Sequence, residues 1–317
     1  MITSKKFDVL DDGREITEYI LKNSNGMEVH VLSYACIVKD IIIPKDGKNV
    51  NVVLGWNSID EYYFHGYKQY YFGSFVGRVA NRISNSSFSL NGMTYALTPN
   101  EGPNHLHGIF RDTVFRGEIV DDAVVFSYYS TEADEGYPGN LSVACMYSLS
   151  EENDLCITYQ AGSDADTPVN FTNHIYFNLN GRDSGDVFDQ LLEINANAIT
   201  ETDSSLLPTG RLLDVEGTPY DFRVMRPISD HLYDDNFCLS PASSAMKIAA
   251  QAIGDKSGIK LYCGTTEIGL QVYSGLKTGF TLETQHYPDA PNRPEFPSIT
   301  LRKDDKYLQQ TIYKFEW

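Results

Sequence analysis

A histidine and a glutamate lie in two polar, strand-like stretches of this 317-residue chain. His174 belongs to residues 168–179, where alternation of apolar and polar residues places the imidazole on a face of hydrogen-bonding side chains. Glu283 belongs to residues 279–292 and also shares its face with polar residues. An imidazole and a carboxylate can move protons to and from a ligand, although a buried structural histidine and an exposed strand glutamate would show the same patterns.

Two further histidines, His105 and His107, are separated by one residue and would share one face of a strand. Such a pair can suit a metal, but no third ligand accompanies it in the sequence, so a polar-ligand contact or a structural role is favoured. The sequence also lacks the glycine-rich phosphate loops, zinc-protease motifs and serine-hydrolase motifs. It therefore predicts neither a metal nor a cofactor.

An arginine and an asparagine, Arg82 and Asn81, are adjacent and could bind hydroxyls or a carboxylate, with a structural ion pair as the alternative. Asp234 and Asp235 are also adjacent, and neighbouring strand residues point to opposite faces, so only one of them can face a common pocket. A solvated acidic loop is the alternative there. Together, such acids, bases, amides and an arginine suit a neutral ligand with many hydroxyls and proton transfer without a cofactor.

The charge of the chain limits the partners that it can have. Lys and Arg number 25 against 43 Asp and Glu, which gives a formal net charge of −18. A surface of this sign repels phosphate backbones and anionic membranes, so we expect no nucleic acid and no membrane as partner. A neutral small molecule fits the charge best.

Cysteines and apolar runs bear on the compartment. The five cysteines are odd in number, widely spaced and form no C-x-x-C, which is typical of reduced thiols in the cytoplasm. The N-terminal residues lack the apolar stretch of a signal peptide, and no apolar run approaches the ~18 residues of a membrane span. We therefore predict a cytoplasmic protein.

Strands must position these residues, because period-two alternation recurs along the whole chain. Residues 141–149 and 155–159 alternate clearly, and Asp46-Gly47 and Asn91-Gly92 each separate two β-rich runs as hairpin turns do. Residues 58–62 could form a capped turn of helix, and residues 245–252 could be a helix or a strand. The patterns predict an all-β protein in which residues 1–317 form one large, mostly antiparallel domain of stacked sheets.

Seven stretches, in this order, resemble the aldose 1-epimerase (galactose mutarotase) family. They span nearly the whole chain, and together they are much more specific than any one of them. The stretches are residues 77–83, 104–108, 167–179, 208–210, 217–223, 271–275 and 282–292.

This resemblance implies a β-supersandwich that interconverts the α and β anomers of free aldoses such as galactose and glucose, as a monomer or homodimer. It implies that Glu283 is the general base and His174 the general acid. The sugar-binding residues that it implies are Arg82, His107, Asp234, Asn81 and Gln271. The chain departs from the family's pattern at Leu232, Asp235, Ile109, Phe115 and Leu276, which bears on substrate preference rather than on the reaction.

In the implied reaction, Glu283 takes the proton of the C1 hydroxyl while a protonated His174 donates to the ring oxygen, and the opened sugar closes on its other face. This requires an ionised Glu283 and a charged His174 near neutral pH. Three alternatives remain: a sugar-binding or sugar-sensing protein without catalysis, a hexose-phosphate epimerase on the same fold, and a glycoside hydrolase using Glu283 and Asp234.

Overall fold

The computed structural model describes residues 1–64, 70–241 and 243–317. Two short α-helices and three 3-10 turns accompany 29 strands in this part of the chain. The helices are α1 (Ile59–Phe64) and α2 (Glu132–Glu135), and the 3-10 turns are Ser84–Ser86, Phe110–Asp112 and Ala290–Asn292. The strands of the first half are β1 (Ile2–Val9), β2 (Glu15–Lys22), β3 (Glu28–Leu32), β4 (Val38–Lys45), β5 (Lys48–Asn51), β6 (Phe75–Val76), β7 (Arg82–Ile83), β8 (Ser87–Leu90), β9 (Met93–Ala96), β10 (His105–Leu106), β11 (Arg116–Val120), β12 (Ala123–Ser130), β13 (Leu141–Leu149) and β14 (Asp154–Ser163). Those of the second half are β15 (Thr167–Pro168), β16 (Thr172–Asn173), β17 (Tyr176–Phe177), β18 (Leu191–Ile194), β19 (Ala196–Thr202), β20 (Pro208–Asp214), β21 (Arg226–Pro227), β22 (Asp234–Leu239), β23 (Lys247–Ile253), β24 (Lys260–Thr265), β25 (Gly269–Tyr273), β26 (Phe280–Thr281), β27 (Glu283–Gln285), β28 (Thr300–Leu301) and β29 (Lys306–Glu316).

Three sheets dominate the fold. The largest has nine strands in the order β11-β12-β13-β14-β29-β24-β23-β18-β21, and two have five strands, β1-β2-β3-β4-β5 and β20-β19-β22-β25-β27. Several two-stranded sheets accompany these three. Of these, β16-β6, β17-β26 and β10-β7 lie near the site described below. Every pairing between these named strands is antiparallel, so the predicted all-β, antiparallel fold class is confirmed.

The two predicted hairpin turns and the predicted helix cap agree with the structure. Asp46-Gly47 joins β4 to β5 and Asn91-Gly92 joins β8 to β9, with positive φ at all four residues, as two-residue hairpin turns require. Ser58 caps α1 by accepting a hydrogen bond from the Glu61 N–H at 3.2 Å. The undecided segment 245–252 forms most of strand β23.

The core contains a group of aromatic rings that supports the site. Phe75 contacts Phe110, Phe115, Tyr159 and Phe171, with ring centroids 5.0–5.7 Å apart. Phe75 lies in β6, which pairs with β16, the strand immediately before the candidate histidine. Packing of this cluster, in which losing one buried ring would cost about 3–5 kcal/mol, therefore holds the backbone of the site in place.

Candidate active site

A cavity of about 250 Å³ lies at the end of the sheet β20-β19-β22-β25-β27. All seven residues that the family resemblance implied as catalytic or sugar-binding line this cavity, although they come from distant parts of the chain. They are Asn81, Arg82, His107, His174, Asp234, Gln271 and Glu283. The structure therefore brings the whole predicted set together, while the role of each residue stays a prediction.

Neighbouring strands present three of these side chains on one sheet face. Gln271 on β25 lies directly opposite Glu283 on β27, and Asp234 on β22 lies opposite Tyr273, two residues further along β25. Residues two apart on a strand share a face, so the three polar groups converge. The Gln271 amide donates a hydrogen bond to Asp234 Oδ1 at 2.7 Å, which orients both side chains. Asp235 points to the other face and does not line the cavity, as the alternation predicted.

A strand pairing brings His174 to Glu283. Residues 168–179 form three short strands in different pairs rather than one long strand, and β17 pairs with β26 through Tyr176 and Thr281. His174 lies two residues before Tyr176, and Glu283 lies two residues after Thr281, so the antiparallel pairing also places these two residues opposite each other. As a result, His174 Nε2 is 3.4 Å from Glu283 Oε1.

Burial determines where the proton of this pair resides. His174 is 6% exposed and Glu283 1% exposed. Burial lowers the pKa of His174 to about 3 and raises the pKa of Glu283 to about 8, although the Thr281 hydroxyl donates to the carboxylate at 2.9 Å. At neutral pH these shifts favour a single proton shared by the pair. The implied reaction needs an ionised Glu283 beside a charged His174, and desolvation opposes both of these charges.

His107 is held in one tautomer by a backbone contact. The Asn81 N–H donates to His107 Nδ1 at 3.1 Å, and the His107 N–H donates to the Asn81 carbonyl at 3.1 Å. Because Nδ1 accepts a hydrogen bond, the proton of the neutral ring lies on Nε2, which can donate it to an oxygen of a ligand. Burial, followed by the neighbouring His174, lowers the pKa of His107 well below its usual range, so this ring is neutral.

The prediction that His105 and His107 share one strand face is wrong. Strand β10 ends at Leu106, and His107 adopts φ 63°, which turns its side chain away from the strand's alternation. His105 instead contacts the Thr98 carbonyl at 2.7 Å and lies 3.4 Å from Glu135, outside the cavity. Only His107 is therefore a candidate for ligand contact.

The wall that contains Arg82 includes a residue that the sequence did not reveal. Both oxygens of Glu101 accept hydrogen bonds from Arg82, at 2.9 Å from Nε and 2.8 Å from Nη2. The remaining nitrogen, Nη1, is 3.8 Å from Asp234 Oδ2. Glu101 lies in the turn before the histidine motif, and nothing in its spacing distinguishes it from a surface carboxylate.

Four tyrosines that the sequence analysis did not identify also line the cavity, namely Tyr70, Tyr71, Tyr176 and Tyr273. The Tyr71 ring stacks on His174 with centroids 5.6 Å apart, and the Arg111 guanidinium lies 4.4 Å from the Tyr71 centroid. The chain has 21 tyrosines, so their abundance alone could not identify these four. They supply flat, partly apolar walls, which suit the carbon face of a ring-shaped ligand.

Three of the site residues bring possible metal-ligand atoms close together, but His107 has no free lone pair while its Nδ1 accepts the hydrogen bond of the Asn81 N–H. Ligand atoms of His107, His174 and Glu283 all lie within 4.8 Å of one another.

Within the described residues, no helix is both long and apolar enough to cross a membrane.

Comparison with known proteins gives consistent matches along the chain. The family model described as Aldose 1-epimerase matches residues 17–314. Galactose mutarotase from Rattus norvegicus is 37% identical over 341 residues, covering 99% of this chain and 98% of the relative. Aldose 1-epimerase from Escherichia coli K12 is 34% identical, covering 96% of each chain. The crystal structure of galactose 1-epimerase from Lactobacillus acidophilus superposes with a TM-score of 0.85 at 27% identity, covering 100% of this chain and 98% of that one.

Proposed function

Because the chain belongs to the aldose 1-epimerase family and is thus an isomerase, we propose that its cavity interconverts the α and β anomers of free aldohexoses such as galactose and glucose. The observation that carries this proposal is the 3.4 Å approach of His174 to Glu283 among polar groups suited to hydroxyls. A single carboxylate–imidazole pair is sufficient for ring opening and closure, since each step moves one proton off a hydroxyl and one onto an oxygen.

In this proposal Glu283 is the base and His174 the acid. Sugar hydroxyls that enter the cavity replace the hydration lost by the buried carboxylate, so the shared proton passes from Glu283 to His174. Glu283 then removes the proton of the C1 hydroxyl while His174 protonates the ring oxygen, and the bond between C1 and that oxygen breaks. After rotation about C1–C2, the reverse transfers close the other anomer. Each proton transfer can contribute roughly 10²–10⁴-fold.

The remaining groups would hold the open-chain sugar while it rotates. Arg82, His107 and the Asn81 amide offer hydrogen-bond donors, and Asp234 offers acceptors whose position the Gln271 amide fixes. Retaining the aldehyde in the cavity keeps ring closure intramolecular, which is faster than recapture from solution.

The charges of the cavity favour a neutral sugar over a hexose phosphate. Among the described lining residues, Arg82 is the only cationic side chain other than histidine, and Glu101 and Asp234 already neutralise it. A phosphate would need cations of its own. A binding protein without catalysis would not need the buried Glu283–His174 contact, which is costly to maintain without a function.

We also propose that residues 1–317 form one cytoplasmic domain, active as a monomer or homodimer. One continuous group of buried apolar side chains, which includes residues from Tyr19 to Phe315, supports a single domain. All five cysteines are free thiols, as is usual in a reducing compartment. Size-exclusion chromatography with light scattering would determine the oligomeric state.

Polarimetry of freshly dissolved α-galactose and α-glucose tests the function, with xylose and arabinose to rank substrates. We expect the protein to accelerate mutarotation and Glu283→Gln to abolish that acceleration while remaining folded. Glu267→Gln is a matched control, because Glu267 also pairs with a histidine, His286, but outside the cavity. Near-normal rates in Glu283→Gln would rule out Glu283 as the base, and no acceleration by the wild type would overturn the function.

A further inference from the structure

The second ring nitrogen of His174 is not held by a neighbouring residue. Nδ1 of this histidine is buried and makes no hydrogen bond to another described residue. By contrast, Nδ1 of His107 accepts the Asn81 N–H, and Nδ1 of His105 contacts the Thr98 carbonyl. In histidines that transfer protons, the hydrogen bond of the second nitrogen usually sets the state of the ring. Another contact must therefore orient the imidazole of His174.

Tyr71 provides a contact of this kind. Its ring is 8% exposed and stacks on the imidazole of His174, with centroids 5.6 Å apart and an angle of 24° between the planes. The contacts of His174 with Tyr176 and His107 are more inclined, at 37° and 84°. A nearly parallel neighbour limits rotation of the imidazole, because turning would press the edge of the imidazole into the face of the tyrosine.

The turn that carries Tyr71 is also bonded to the backbone of His174. The Gly73 N–H donates to the His174 carbonyl at 2.9 Å, and the His174 N–H donates to the Ser74 carbonyl at 2.9 Å. The Ser74 N–H donates to the Tyr71 carbonyl at 2.9 Å, which closes the turn. These bonds fix the two backbones relative to each other, so the tyrosine ring has a defined place beside the imidazole.

Tyr71 has a backbone conformation that bulky residues rarely adopt. Its φ of 55° lies in the left-handed region, which favours glycine. The turn has little freedom to relax, because Gly73 also has a positive φ and a Cβ atom there would clash with the Val38 carbonyl oxygen. Conformations of this cost persist where the surrounding structure enforces them, and they are common at functional sites. In this turn, the residue that bears the cost is the one that stacks on His174.

Arg111 contacts the ring of Tyr71 without lining the cavity. Its guanidinium carbon is 4.4 Å from the centroid of the Tyr71 ring, and its side chain is only 16% exposed. A cation over an aromatic ring is held more strongly when water is excluded. Arg111 follows Phe110, which packs on Phe75 with centroids 5.2 Å apart. The aromatic core therefore gives Arg111 a fixed base from which to hold Tyr71.

We propose that Tyr71 is a positioning residue for His174 and that Arg111 keeps Tyr71 in place through its cation–π contact. This inference rests on the proposed function, in which His174 must direct Nε2 at the ring oxygen of the sugar. Tyr71 lines the cavity and can also contact the sugar, whereas Arg111 lies outside the cavity. Substitution of Arg111 therefore separates positioning from sugar binding.

Initial rates by polarimetry test the effect on the reaction. We expect Tyr71→Leu to lower kcat by roughly 10–100-fold, since small misplacements of reacting groups cost this much, and Tyr71→Phe, which keeps the ring, to lose far less. Arg111→Met should lower kcat several-fold with KM unchanged, and Arg111→Lys, which keeps a cation, should lose less. In the Tyr71→Leu background, Arg111→Met should cause no further loss, because Arg111 acts through Tyr71.

Arg226 provides a matched control. Its guanidinium lies 4.0 Å from the centroid of Phe222, also outside the cavity, so Arg226→Met removes a similar contact that does not reach His174. We expect Arg226→Met to retain wild-type kcat. Equal losses of kcat in Arg111→Met and Arg226→Met, or additive losses in the Tyr71→Leu, Arg111→Met double variant, would overturn the role of Arg111. Equal kcat in Tyr71→Leu and the wild type would overturn that of Tyr71.

The NMR signals of the His174 ring provide a readout that does not require activity. They can be assigned among the seven histidines by their loss in His174→Ala. Because an aromatic ring shifts the resonances of atoms stacked on its face, Tyr71→Leu and Arg111→Met should both displace the His174 signals and leave those of His286 unchanged. Unchanged His174 signals in both variants would overturn the inference. If the wild type shows no mutarotation, the proposed function fails, and these signals still decide whether Tyr71 and Arg111 position the ring.

Discussion

Glu101 binds the guanidinium of Arg82 through both of its carboxylate oxygens and leaves only Nη1 directed toward Asp234. A planar, two-point contact of this kind fixes the orientation of an arginine that a single contact would leave free to rotate. Glu101 is therefore a positioning residue for Arg82, and through it for the wall formed with Asp234 and Gln271.

Replacing Glu101 should affect sugar binding more than turnover. In Glu101→Gln, Arg82 loses a charge-assisted contact worth about 1.5–3 kcal/mol, so we expect KM to rise about tenfold or more with little change in kcat. Initial rates by polarimetry over a range of galactose concentrations measure both. Glu201→Gln is the control, because Glu201 binds Arg211 in the same two-point manner on the exposed surface. An unchanged KM in Glu101→Gln would show that Arg82 needs no such support.

Removing the imidazole of His174 should abolish most of the turnover. Since His174 is proposed to transfer one of the two protons, His174→Ala should lower kcat by roughly 10²–10⁴-fold. His286→Ala, which removes an imidazole that pairs with Glu267 outside the cavity, should retain wild-type kcat. Circular dichroism would confirm that both variants fold. Equal kcat in the two variants would exclude His174 as the acid.

The pH dependence of kcat/KM should report the proton shared by Glu283 and His174. With pKa values of about 8 for Glu283 and about 3 for His174, the free pair holds one proton throughout the range between them. Above pH 8 this proton is lost and no acid remains, so we expect kcat/KM to be level from about pH 5 to 7 and to fall above pH 8. Asp234→Asn should move the alkaline limb to lower pH, because the charge of Asp234 contributes to raising the pKa of Glu283. A single rise with a midpoint near 6.5, typical of an unperturbed histidine, would contradict this assignment.

Glu135 should make the fold less stable as the pH rises. Burial raises the pKa of this 4%-exposed carboxyl to about 8, well above its unfolded value of 4.5. The neutral acid is therefore favoured in the folded state, and its stabilising contribution is complete below pH 4.5 and is lost as the pH rises through 8. Relative to the wild type, Glu135→Gln should gain up to about 4–5 kcal/mol of unfolding free energy between pH 5 and 9. Urea denaturation at both pH values measures this gain.

The exposed Glu132 in the same helix, α2, provides the control for that measurement. Glu132→Gln should change the free energy of unfolding by no more than about 0.5 kcal/mol at either pH, as is usual for surface substitutions. If Glu135→Gln showed no greater pH dependence than Glu132→Gln, Glu135 would have to be ionised without penalty in the folded protein.

Features that depend on neighbouring residues could be predicted from the sequence. Alternation along residues 141–149 predicted strand β13, and Asp46-Gly47 and Asn91-Gly92 predicted two hairpins, because side-chain direction and turn conformation are set within a few residues. The seven site residues could be named in advance through their resemblance to a family, and all of them line one cavity. The alternation also predicted that only one of the two adjacent aspartates could face this cavity, and the resemblance implied that it is Asp234.

Other features depended on contacts between distant segments. The sequence could not show that Glu101 binds Arg82, that four particular tyrosines form the walls, or that His105 turns away from His107. Nor could it show how strongly burial opposes the charges of Glu283 and His174. Residue types and spacing by themselves determined which groups were present and the all-β class of the fold that carries them. The tertiary structure decided how far each group is removed from water and which groups meet, and these two quantities determine pKa values and the orientation of side chains.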